Sequence, residues 1–120
     1  MGNPFCHVEL HTQDPESAKK FYLDLFDWKL EDHQVGEETY TMIEVGEGTG
    51  GGLMQHPMPG APSYWLAYIL VDDVAASTEK AKGLGATVVQ ERMEVQGHGW
   101  LSVIADPAGA TIGLWQPAEQ

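Results

Sequence analysis

One succession of local signals occurs twice along this chain of 120 residues. Residues 5–12 alternate, with Cys6, Val8 and Leu10 on one side of an extended strand and Phe5, His7, Glu9 and His11 on the other. Asp14, Pro15 and Glu16 then supply an N-cap, a first-turn proline and a charge suited to the helix dipole. Ala18, Phe21, Tyr22, Leu25 and Phe26 follow at helical spacing and predict a helix over residues 14–26 with one apolar stripe. Residues 28–32, 40–45 and 52–55 read as strands, with Gly36 and the glycine-rich stretch 46–52 as turns.

After a stiff connector over residues 57–63 the same order returns. Residues 64–71 read as a strand, and Asp72-Asp73 caps a helix over 74–84 whose apolar side is marked by Val74, Ala81 and Leu84. Gly85 suits a helix C-cap, residues 87–91, 100–105 and 111–116 read as strands, and Asp106-Pro107-Ala108-Gly109 is a type I turn. Asp14 aligns with Asp73, Leu30 with Val89, and 52–55 with 113–116. The expected fold is therefore α+β: a single domain over 1–120 made of two βαβββ modules, about 5–56 and 64–116, with 57–63 as linker. Their strands form a curved mixed sheet around a concave cavity, with the helices outside.

Composition narrows the partners. Six basic against eighteen acidic residues leave a net charge of −12. Phosphate backbones are held by Lys and Arg, so nucleic acid and anionic membrane are excluded as expected partners. No apolar run approaches the roughly 20 residues that span a bilayer. The N-terminal residues lack the basic and apolar regions of a secretory signal, and Cys6 stands where a myristoylation motif needs Ser or Thr. With a single cysteine, the expectation is a cytoplasmic chain.

Several chemistries are weighed at the residue level. The stretch 48–52 leads into a strand and lacks the Lys-Ser/Thr of a phosphate loop, and Gly-x-Ser-x-Gly is absent. Cys6 reads as a buried, inert thiol. Trp65 and Trp100 read as packing residues. Glu9 taken alone reads as a solvated or Arg-paired carboxylate. His98, between Gly97 and Gly99, reads as an exposed loop residue or as one that closes over a ligand. His7 reads as a structural histidine or as a base paired with Glu9.

The ordered pieces 5–10, Asp14-Pro15-Glu16, Phe21-Tyr22, 25–28, Gly52-Leu53-Met54, 71–74, 84–86 and 105–109 together resemble the vicinal oxygen chelate superfamily: glyoxalase I, bleomycin-resistance proteins and extradiol dioxygenases. The resemblance covers about residues 5–116 and is strongest to small bacterial glyoxalase-related proteins. Asp27 departs from it, since glycine is common there. The resemblance implies paired βαβββ modules around a U-shaped cavity, and in the metal enzymes four side chains there hold one divalent ion. Carried over position by position, the first-strand ligand falls on His7, and the other three positions fall on Leu66, Gly52 and Gly113, which carry no donor. Alternate residues on a strand are about 6.6 Å apart, so His7 and His11 stand about 13 Å apart and cannot both join Glu9 on one ion. No metal and no other cofactor is expected.

What remains is a cavity with a polar wall of His7, Glu9 and His11 facing an apolar one of Leu66, Tyr68 and Leu70. Met54 and Trp115 share the inward face, and Gly52 and Gly113 leave open room. The expectation is a glyoxalase-related protein that binds a small organic ligand, as a monomer or homodimer. Two alternatives stand beside it. One is an enzyme of the lyase, isomerase or dioxygenase type using His7, Glu9 or His98. The other is a resistance protein that sequesters a cationic drug.

Overall fold

Asp14 opens the first helix as its position suggests: its Oδ1 accepts a hydrogen bond from the Ser17 backbone N–H at 3.1 Å, and Pro15 takes the first helical position. The helix, α1 (Pro15–Leu25), ends when Phe26 turns to extended backbone and returns its N–H to the Tyr22 carbonyl at 2.8 Å. The computed structural model describes residues 2–35, 37–95 and 97–118, so the turn expected at Gly36 lies outside the described residues. The chain divides into two compact units, His7–Leu66 and Met1–Cys6 with Ala67–Gln120. The fold is α+β, two βαβββ modules whose strands pair in both parallel and antiparallel senses.

The first module is β1 (Phe5–Thr12), α1, β2 (Lys29–Val35), β3 (Glu38–Glu44) and β4 (Gly51–Gln55), arranged β2-β3-β4-β1 with β1 and β4 parallel. Leu10, Ile43 and Leu53 form its core, and Ala18, Tyr22, Trp28, Leu30 and Val45 pack around them. Each such aliphatic side chain contributes about 1.5–3 kcal/mol by leaving water. The helix stripe is narrower than its sequence suggests. Ala18 and Tyr22, one turn apart, face the sheet, whereas Phe21, Leu25 and Phe26 are 57%, 57% and 45% exposed. Five apolar positions span more arc than one flat sheet can cover, so the outer ones lie against Tyr22 or face solvent.

The second module is β5 (Tyr64–Leu70), α2 (Val74–Gly83), β6 (Thr87–Val95), β7 (Gly99–Ala105) and β8 (Thr111–Pro117), arranged β5-β8-β7-β6. Asp73 caps α2 through the Ala76 N–H at 3.1 Å. Val74 is fully buried and Ala81 packs on the same core, but Leu84 is 71% exposed, because the helix stops at Gly83 and Gly85 takes φ +103°. The missing contact on that face is Thr78. Its hydroxyl donates to the Val74 carbonyl at 2.6 Å and pairs with Ser102 Oγ at 2.8 Å, which lets a polar residue replace an apolar one in the core. Strand β6 runs four residues past its expected end, through two register irregularities against β7. The turn at Asp106 forms as expected, with Gly109 N–H bonded to the Asp106 carbonyl and Asp106 Oδ1 accepting from Ala108 and Ala110.

The duplication extends to strand register. Glu9 pairs with Gly52 across β1 and β4, and in the other module Tyr68 pairs with Gly113 across β5 and β8. The two glycines thus hold equivalent positions within their own modules.

Candidate functional site

On β1 the alternation places His7, Glu9 and His11 on one side, opposite Leu10, which enters the core. Glu9 is the centre of this face. It is 8% exposed and so not a solvated carboxylate. Instead, His11 Nε2 lies 2.6 Å from its Oε1, and the Tyr40 hydroxyl donates to its Oε2 at 2.7 Å. The same hydroxyl is 2.8 Å from His7 Nε2, and the His7 and Glu9 side chains approach to 3.9 Å. Burial alone pushes the Glu9 carboxyl up, but the bonds from His11 and Tyr40 and the charge of the neighbouring imidazoles outweigh it. The carboxyl is held below its ordinary value and is ionised at neutral pH. Burial pushes His7 down and the Glu9 charge pulls it partly back, so His7 is neutral at neutral pH.

Tyr40 reaches this group from two strands away. Strand order β3-β4-β1 places β4 between Tyr40 and Glu9, and β3 pairs Met42 with Gly52 while β1 pairs Glu9 with Gly52. Two residues from Met42, the Tyr40 side chain shares its face and lies across Gly52. A Cβ on Gly52 would overlap the Tyr40 hydroxyl and ring. Adjacent strands are about 4.8 Å apart, so only a long side chain crossing a strand with no side chain of its own can span the gap. Glycine at 52 therefore makes the Tyr40–Glu9 bond sterically accessible. The expected open room at Gly52 is taken by Tyr40, and at Gly113 a Cβ would meet the Tyr68 ring at 2.5 Å.

Past Glu9, the His11 ring lies 5.0 Å from Tyr64 and 6.2 Å from His56, centroid to centroid, and His56 Nδ1 accepts the Met58 N–H at 3.0 Å. Met54, opposite His11 in register, is half-buried. Leu66 is 1% exposed and Tyr68 3%, and Leu70 and Trp115, paired in register, are half-buried. His98 is exposed in the turn joining β6 and β7, where its N–H bonds the Val95 carbonyl and its carbonyl accepts from Ala118. Cys6 donates to the Tyr68 carbonyl at 3.7 Å, and burial pushes its thiol up, against nucleophilic use. Trp100 packs on the second module's core and Trp65 meets Tyr22 edge-on. Sequence reasoning brought His7, Glu9 and His11 together and missed Tyr40, His56 and Tyr64.

Two shallow hollows lie elsewhere in the first module. One, of about 390 Å³, adjoins the glycine-rich turn near Gly46, and one, of about 320 Å³, lies between α1 and Ser63. Neither is lined by His7, Glu9 or His11.

Paired βαβββ modules define a fold class rather than one activity. Residues 5–114 match the Glyoxalase/Bleomycin resistance protein/Dioxygenase superfamily, and the chain belongs to it. CFP32 of Mycobacterium bovis, provisionally named a glyoxylase, is 38% identical over 115 residues, which are 91% of this chain and 44% of that protein. The anthracycline biosynthesis protein DnrV of Streptomyces peucetius is 39% identical over 67 residues, 56% of this chain and 23% of its own length. The chain thus spans less than half the length of these curated relatives. Among solved structures, the hypothetical protein BH1468 of Bacillus halodurans superposes with a TM-score of 0.74 at 14% identity, covering 100% of this chain and 98% of that one. That likeness concerns the fold alone.

Of the four positions that the resemblance assigns to metal ligands, 52 and 113 are glycines whose side-chain space tyrosines occupy, and 66 is a buried leucine. Both oxygens of Glu9 are already bonded to His11 and Tyr40. Among the described residues no group of three or more His, Cys, Asp or Glu side chains converges on a point where an ion would sit.

Proposed function

We propose that this chain binds a small organic molecule against the polar face of β1 without the divalent ion of its metal-dependent relatives. The observation that carries the reading is the Tyr40 hydroxyl lying over Gly52, bonded to both His7 and Glu9. A phenol and a carboxylate locked to each other are poor ligands for a hard ion, which needs several unengaged donors. They form instead a preorganised polar array beside His7, whose side chain retains 28% exposure. Small-molecule sites combine a few such fixed polar groups with apolar surroundings. The relatives named for anthracycline biosynthesis support an organic ligand of that kind, and the net charge of −12 favours a cationic or neutral one over an anion.

Isothermal titration with manganese, nickel, cobalt and zinc ions tests the metal-free reading. No saturable heat is expected. Stoichiometric micromolar binding that disappears in His7→Ala would sink it.

A second reading is favoured by the hydrogen bonds themselves. His7, Tyr40, Glu9 and His11 are joined in one chain, an arrangement suited to general acid–base chemistry. Under this reading the protein is a metal-independent lyase or isomerase with His7 as base. Turnover lost in His7→Ala while ligand affinity is kept would separate catalysis from simple binding.

A further inference from the structure

We infer that the outward face of α1 is an interface for a second copy of this chain, the two helices packing antiparallel about a two-fold axis level with residue 22, so that Lys20 of each copy faces Asp24 of the other. This surface is separate from the polar face of β1, and the inference does not depend on what binds there.

Successive helical residues turn by about 100° and rise by about 1.5 Å, which sorts α1 into rows four residues apart. Ser17, Phe21 and Leu25 form one row, and Glu16, Lys20 and Asp24 form the next. Ala18 and Tyr22 hold the sheet side, which leaves Phe21 and Leu25 each 57% exposed. Trp65, itself 40% exposed, meets Tyr22 edge-on as Phe21 does, so the apolar surface continues from the helix onto β5. At roughly 200 Å² for a large side chain, these three residues leave about 300 Å² of apolar area in water. Doubled by symmetry and framed by polar surface in the usual proportion, that gives an interface of about 1,000 Å², the size at which specific association begins.

Two features make a second copy the occupant. The first is charge. A net charge of −12 drives copies apart, yet α1 sets Lys19 and Lys20 against Glu16 and Asp24 and is neutral. Lys20 and Asp24 are paired at 2.9 Å on the helix surface, 80% and 69% exposed. They lie on one flank, two residues either side of position 22. The two-fold axis therefore brings each Lys20 onto the partner's Asp24 and closes a square of alternating charge.

The second feature is shape. The hollow of about 320 Å³ between α1 and Ser63 is rimmed by Ser17 and Phe21. Under the same symmetry each Leu25 meets the other helix level with residue 19, midway between Ser17 and Phe21, and enters that hollow as a ridge enters a groove. The edge strands are guarded instead. Strand β2 carries Lys29, Glu31 and Asp32, and β6 carries Glu91, Arg92 and Glu94, charges that oppose pairing along a sheet edge.

Sedimentation velocity over a micromolar dilution series reads the equilibrium. The wild-type chain is expected to pass from monomer to dimer across the series. Phe21→Glu and, independently, Leu25→Glu should each raise the dimer Kd at least tenfold. Lys20→Asp and Asp24→Lys set like charges against the partner, and each alone should raise it about tenfold. An equimolar mixture of those two variants should associate with about the wild-type Kd, because one chain is then acidic at both positions and the other basic at both. All four positions are exposed, and thermal melts by circular dichroism close to that of the wild type show that the variants are folded. A wild type that stays monomeric throughout, a dimer that none of the four variants weakens, or a mixture that associates no more tightly than its components overturns the inference.

Discussion

His11 and Glu9, two residues apart on β1, are joined by a 2.6 Å bond between Nε2 and Oε1, with only 13% and 10% of their side chains exposed. Side chains at i and i+2 of a strand stand on one face, but their spacing of about 6.6 Å leaves them apart unless both lean inward. The Tyr40 hydroxyl on the other carboxylate oxygen holds Glu9 in the leaning position. The three groups therefore act as a unit, and removing one affects the rest.

Glu9 should make stability depend on acid. Its folded pKa is depressed below the ordinary 4.5, so the unfolded chain takes up the proton first as pH falls. The stabilisation is complete above about 4.5 and is lost progressively as pH drops through the folded value. Replacing Glu9 by Gln removes that slope and costs about 1–3 kcal/mol at neutral pH, the usual cost of a lost charged hydrogen bond in a buried site. Urea unfolding at a series of pH values measures both effects. Wild-type and Glu9→Gln curves that run parallel below pH 4.5 would contradict the assignment.

His7 acts in a higher window. Its folded pKa lies below the ordinary 6.5, so the native state resists a proton that the unfolded chain accepts. Its contribution is full above about 6.5 and fades as pH falls from there toward the folded value. His7→Gln should flatten that part of the profile while leaving the more acidic Glu9 part in place. A stability profile unchanged between pH 7 and the onset of the Glu9 step would show that burial does not perturb this ring.

Both helix caps and the type I turn were legible in the sequence, because each depends on residues within a few positions of one another. Asp14, Asp73 and Asp106 announce themselves by local chemistry. The face shared by His7, Glu9 and His11 was legible from strand alternation alone. Tyr40 was not, since its link to Glu9 spans 31 positions and exists only through the register of β3 on β4 and of β4 on β1. A signal was present: a glycine in mid-strand marks close approach by another group. It gave no way to tell a tyrosine from a ligand. Thr78 was hidden for a different reason, because a polar residue enters the core only when a partner such as Ser102 is known.

The two adjacent glycines at the start of β4 provide a control for the Tyr40 placement. A Cβ at Gly52 meets a side chain, Tyr40, whereas a Cβ at Gly51 meets backbone, the carbonyl of Val8. Alanine at either position should destabilise the fold, by about 1–3 kcal/mol or more, as overpacking does. The two should differ in rescue. In a Tyr40→Ala background the obstacle to a methyl group at position 52 is gone, so Gly52→Ala should cost little there, and the double-mutant cycle should show coupling of about the size of the single penalty. Gly51→Ala should cost the same with or without Tyr40, because the Val8 carbonyl remains. Thermal or urea melts of the six proteins, wild type included, give the comparison directly. Equal penalties for Gly52→Ala in both backgrounds would mean that Tyr40 does not lie over Gly52, and the His7–Tyr40–Glu9 chain would fall with it.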